Sequence, residues 1–96
     1  MADTEPDGAF VRDPSGKTKG LFFQTVPEPK TVKDRIHLDV RPTGSMEAEV
    51  ARVMELGATV KGRVDVEGSF WTIMLDPEGN EFCVLRGPED GWSGEL

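Results

Sequence analysis

The stretch Arg35-Ile36-His37-Leu38-Asp39-Val40-Arg41 decides the fold. Ile36, Leu38 and Val40 fall on one side of an extended chain, and Arg35, His37, Asp39 and Arg41 on the other. A period of two marks a half-buried strand with one apolar and one polar face. Pro42-Thr43-Gly44 ends it. Ser45 follows as an N-cap, with Glu47 and Glu49 in the first turn, where a helix dipole favours acid. Met46, Val50, Val53 and Met54 recur at helical spacing, and Gly57 suits the left-handed residue that closes many helices.

Working outward, residues 59–66 and 70–75 read as two strands around a turn at Glu67-Gly68. Asp76-Pro77-Glu78-Gly79 is a second turn, and residues 80–86 are the last strand. Residues 34–86 thus form one strand–helix–strand–strand–strand unit. Upstream, 9–12 and 21–26 are strands separated by Asp13-Pro14-Ser15-Gly16, which echoes Asp76-Pro77-Glu78-Gly79. Two such turns at equivalent points suggest two related modules, although Asp-Pro-x-Gly is also a common isolated turn. Residues 1–8 are polar and read as a disordered or extended arm, and 87–96 as a Gly-rich tail carrying Trp92.

The chain has 96 residues, which suits one domain with a thin core. Its net charge is −7, with no basic stripe to neutralise phosphates, so nucleic acid is not an expected partner. No apolar run reaches the roughly 20 residues that a membrane helix needs. Cys83 is the single cysteine, which excludes an internal disulfide and favours the cytoplasm, and no signal-peptide pattern opens the chain.

With Ile36, Leu38 and Val40 under the helix, His37 and Asp39 face an open, concave side of the sheet. If Phe82 and Val84 also lie under the helix, alternation puts Glu81 and Cys83 beside His37. Imidazole, thiolate and carboxylate are sound ligands for a divalent ion. Each residue also has a plainer reading. A single strand histidine is more often a hydrogen-bonded surface group, a cysteine a small buried hydrophobe, and a glutamate a solvated charge. Nucleophilic hydrolysis lacks support, since the sequence has no Gly-x-Ser-x-Gly, no second histidine and no phosphate loop.

The histidine-bearing strand, the helix ending Glu55-Leu56-Gly57-Ala58 and the run from Phe70-Trp71-Thr72 to Asn80-Glu81-Phe82-Cys83-Val84 resemble the vicinal oxygen chelate superfamily of glyoxalases, bleomycin resistance proteins and dioxygenases. The resemblance covers about residues 9–86. It implies an α+β fold in which βαβββ modules pair into a cup: a second module at 34–86, preceded at 9–30 by the last two strands of a first, incomplete one. It also implies a divalent metal (zinc, nickel, iron or manganese) held by His37, Gln24 and Cys83, with Glu81 as catalytic base. The superfamily's carboxylate ligand falls four residues after the turn glycine, and Cys83 occupies that place. Trp71, Phe22 and Asp39 would line a small-molecule site. The implied function is binding of a small molecule in the concave cleft, the alternative being a metal-dependent lyase, isomerase or dioxygenase. A homodimer that pairs modules across chains would cover the edges and apolar surface an incomplete first module leaves bare.

Overall fold

The computed structural model describes residues 2–5, 7–17 and 20–94. Met1, Pro6, Thr18, Lys19, Glu95 and Leu96 lie outside the described residues, and with them the outermost parts of the expected arm and tail. Strands β1 (Ala2–Glu5), β2 (Gly8–Val11) and β3 (Leu21–Gln24) form an antiparallel sheet in that order. After them come β4 (Leu38–Val40), helix α1 (Met46–Glu55), β5 (Thr59–Val66), β6 (Ser69–Leu75) and β7 (Glu81–Leu85). These build a four-stranded sheet of order β4-β7-β6-β5, in which only the β4–β7 pair is parallel. The protein is α+β, and its second part is the expected βαβββ module.

Helix α1 starts where the sequence places it: the Ser45 hydroxyl accepts from the Ala48 N–H at 3.1 Å. It ends at Gly57, whose φ of 110° lies in the left-handed region that favours glycine. The C-terminal segment adds a second cap. A 3-10 turn, Pro88–Asp90, folds back so that the Asp90 carboxylate accepts from the Met46 N–H at 2.6 Å and the Gly87 N–H at 2.9 Å. Trp92 lies under the Arg41 guanidinium, 4.2 Å from its ring centroid. Much of the expected tail is therefore packed against the module.

The two Asp-Pro-x-Gly turns are built alike. The Asp13 carboxylate accepts from the Ser15 N–H and the Asp76 carboxylate from the Glu78 N–H, both at 2.9 Å. In each turn the closing glycine N–H donates to the aspartate carbonyl, at 3.0 Å and 2.9 Å. One turn joins β2 to β3 and the other β6 to β7, so the echo falls at matching places in the two sheets.

Met46, Val50, Ala58, Met74 and Val84 form the buried core, with Val53, Phe70 and Phe82 packed against it. Three expectations change. The first sheet has three strands, because residues 2–5 of the expected arm pair with β2 from Ala2↔Val11 to Glu5↔Gly8. An edge strand is held by backbone hydrogen bonds and needs no apolar alternation to form. Strand β4 is shorter than residues 35–41: its pairing with β7 runs only from Leu38↔Phe82 to Val40↔Val84. Ile36 and Leu38 are not under the helix: they are 80 % and 47 % exposed, since α1 lies across β6 and β7 rather than over β4.

Candidate functional site

Alternation along three adjacent strands sends one set of side chains away from the helix. On β7, Cys83 and Leu85 oppose Phe82 and Val84, and on β6, Trp71 and Ile73 oppose Thr72 and Met74. His37 and Asp39 join them from β4 and the residue before it, with Asp39 directly across the parallel ladder from Cys83. The result is a cavity of about 420 Å³ lined by these residues together with Lys33 and Glu81.

At its base three different donors converge. His37 Nε2 is 3.1 Å from Cys83 Sγ and 3.3 Å from Asp39 Oδ1. One atom from each of the three residues lies within 4.8 Å of the other two. Both contacts fall on the same ring nitrogen. Cys83 is buried whereas His37 and Asp39 are exposed, so the cluster is anchored in the sheet and open toward the cavity. A nitrogen, a sulfur and an oxygen from one ladder suit a first-row divalent ion, whose ligand bonds run about 2.0–2.3 Å. The residues fit such an ion.

Burial pushes the Cys83 thiol above its ordinary pKa, and the nearby Asp39 and Glu81 carboxylates add to this, against the pull of Lys33. A raised pKa keeps the group a thiol at neutral pH, and only the thiolate is a good nucleophile. Metal-free protein is therefore expected to react with iodoacetamide at Cys83 more slowly than free cysteine does at neutral pH. Its rate should climb only at pH above the range in which free cysteine activates. Mass spectrometry across a pH series measures this, and a neutral-pH rate matching free cysteine would contradict it.

Glu81 lines the cavity, but its carboxylate accepts from Lys61 Nζ at 2.8 Å, which holds its pKa below the usual carboxylate value. Lys61 is the extra residue at a bulge in β5, between the Val60 and Gly62 register positions. Such irregularities re-aim a side chain, and the pair follows from it. The remaining expected residues go elsewhere. Gln24 and Phe22 belong to β3 and border a separate groove with Val26, Pro29 and Asn80. A further, apolar groove of about 750 Å³ runs past Phe23, Val32, Ile36, Leu38 and Phe82 on the helix side of the sheet. It is larger than the cavity over His37, yet the donor cluster is not in it.

The structure thus brings together His37, Asp39, Cys83, Glu81 and Trp71 and leaves out Gln24 and Phe22. Asp39 stands beside the other two donor atoms, on the open face that its parity with His37 gives it. Lys33 was missed because it sits in an irregular segment that has no period to read.

Among the described residues no helix is long and apolar enough to cross a membrane. Comparison with curated proteins and with solved structures gives no match. A family profile described as a glyoxalase-like domain matches residues 1–85, most of the chain. By that match, with which the one α-helix among the described residues and the mixed four-stranded sheet accord, the chain belongs to the glyoxalase-like domain family.

Proposed function

We propose that this glyoxalase-like protein binds a small molecule in the concave cleft over His37, Asp39 and Cys83. The observation that carries the reading is the cavity itself. Its volume of about 420 Å³ suits a small ligand, with Trp71, Ile73 and Leu85 as apolar walls and the polar cluster at one end. Trp71 would stack on the ligand's flat or apolar part while His37 and Asp39 orient its polar groups. Glu81 and Lys33 add one charge of each sign at the cavity wall.

A second reading is favoured by the donor cluster: a divalent-metal-dependent lyase, isomerase or dioxygenase. His37, Asp39 and Cys83 would hold the ion, which when bound would polarise adjacent oxygens of a substrate. Glu81, held by Lys61 at 2.8 Å, would be the nearby carboxylate for proton transfer. We also propose that the chain works as a cytoplasmic homodimer. Its unpaired cysteine supports the compartment, and the exposure of Leu21, Phe22 and Phe23, each about half accessible, supports a covered surface.

Fluorescence of Trp71 tests the first reading, with Trp92→Phe removing the other tryptophan. A panel of small oxygenated and aromatic compounds should yield at least one that quenches Trp71 saturably, and His37→Ala should weaken it. If no member quenches, or if quenching survives both His37→Ala and Leu85→Glu, the cleft is not the binding site. Light scattering on the same samples should give twice the chain mass at micromolar concentration, and a monodisperse monomer would overturn the dimer.

A further inference from the structure

We propose that His37, Asp39 and Cys83 form a self-sufficient site for a thiophilic divalent cation of the zinc type, one that rejects magnesium and manganese and does not use Gln24. The proposal deepens the metal-dependent reading above. It differs from the ligand set His37, Gln24 and Cys83 that the sequence resemblance implies.

The backbone ladder fixes the site. Asp39 and Cys83 are register partners on parallel strands, and His37 lies two residues before Asp39 on the same face. Three donors of different chemistry therefore converge without help from the first sheet. Gln24 sits on β3 and borders another groove. Glu81 is the other acid in the cavity, and it is held by Lys61 at 2.8 Å. That leaves one neutral imidazole, one carboxylate and one thiolate, whose two negative charges balance a divalent ion. On coordination the thiol proton leaves to solvent and a metal–sulfur bond replaces the sulfur–hydrogen bond.

Sulfur in the set decides which ion fits. Magnesium takes oxygen donors in a near-ideal octahedron and dehydrates reluctantly, and manganese likewise prefers carboxylate, carbonyl and water. Zinc and cobalt accept nitrogen, oxygen and sulfur together at four-coordinate centres. A fourth position is open to the cavity, because His37 and Asp39 are exposed where Cys83 is buried. The strand pair has thus placed a soft donor at the closed end and hard donors at the mouth.

Cobalt(II) titration of the full chain, stripped with chelator and free of any tag, tests the proposal. One cobalt per chain should bind with a near-ultraviolet thiolate-to-cobalt charge-transfer band and visible bands of four-coordinate intensity. Zinc should abolish both, whereas excess magnesium or manganese should leave them unchanged. Cys83→Ser should remove the charge-transfer band. Asp39→Asn, an exposed substitution that spares folding, should weaken cobalt binding by roughly tenfold or more. Gln24→Ala should leave affinity and spectrum as they are.

Bound cobalt without the thiolate band, displacement by manganese, or loss on Gln24→Ala equal to that on Asp39→Asn each overturns the proposal. If Cys83→Ser does not fold, the Asp39→Asn and Gln24→Ala pair decides it. Failure to bind any metal also overturns it. Saturable quenching of Trp71 in the same metal-free protein would then leave the small-molecule reading standing.

Discussion

Met74→Ala is expected to lower the unfolding free energy by about 2–5 kcal/mol, the range for truncating a large buried side chain. Met74 is fully buried on the helix-covered face of the sheet, one of five buried residues that form the core cluster among the described residues. Its strand neighbour across the ladder is Phe82, and Met46 closes the space from the helix, where its sulfur accepts from the Thr72 hydroxyl at 3.4 Å. The loss has two parts, the transfer of the removed methylenes and thioether and the void that a rigid sheet cannot close. A domain of this size has a total stability on the order of 5–15 kcal/mol, so the substitution removes a large share of it. Two controls separate packing from general sensitivity. Met74→Leu keeps volume and should cost under about 1.5 kcal/mol. Ile36→Ala, at a position 80 % exposed, should stay within about 0.5 kcal/mol of the parent. Urea unfolding followed by circular dichroism measures all three, and a Met74→Ala cost no larger than that of Ile36→Ala would refute this account of the core.

That pair of positions also marks the limit of what the sequence discloses. Alternation in residues 35–41 correctly puts His37 and Asp39 on the open face and Val40 on the other. It cannot say how far a ten-residue helix reaches, and α1 lies over β6 and β7, leaving Ile36 and Leu38 uncovered. Local chemistry was legible wherever the partner is near in sequence. The Ser45 cap, the Gly57 closure and both aspartate turns are of this kind. Contacts between distant residues were not, where no strand alternation links them. The Asp90 carboxylate at the helix start and the Lys61–Glu81 pair join positions that no periodicity links.

The site divides along the same line. Parity along β7 was enough to place Cys83 beside His37, because a strand has only two faces and Val84 is needed in the core. Gln24 required a relation between two sheets, which alternation along β3 does not give. Asp39 was legible on the open face from its parity with His37, whereas alternation does not disclose that its carboxylate comes within 3.3 Å of the imidazole.

The second large effect is expected at Gly87, and it arises from space rather than from backbone torsion. Its φ of −103° is open to any residue. A Cβ added there would lie 2.1 Å from the Gly44 carbonyl oxygen and 2.9 Å from the carbonyl carbon, both backbone atoms of the turn that leads into α1. No rotamer relieves such a contact, so Gly87→Ala must push the 3-10 turn away from the helix start. Overpacking of this kind costs typically about 1–3 kcal/mol. Displacement also breaks the Asp90 cap on Met46 N–H and the Glu89 N–H bond to the Gly44 carbonyl, and cap loss adds about 0.5–2 kcal/mol. The expected total is about 1.5–5 kcal/mol by these ranges. Asp90→Ala leaves Gly87 in place and removes the carboxylate that accepts from the Met46 N–H and the Gly87 N–H, so it should cost about 0.5–2 kcal/mol. Since both substitutions break the same bond, the double variant should cost less than the sum, and strict additivity would show that the turn and the cap act separately. The donor cluster supplies an independent readout. Cys83 lies four residues before Gly87 on a strand whose ladder to β6 and β4 does not involve the turn. A thiolate-to-cobalt band in folded Gly87→Ala protein, unchanged from the parent, would place the damage at the helix start alone. An altered band would mean that the C-terminal clamp also holds β4 and β7 in register, and so helps to position the site.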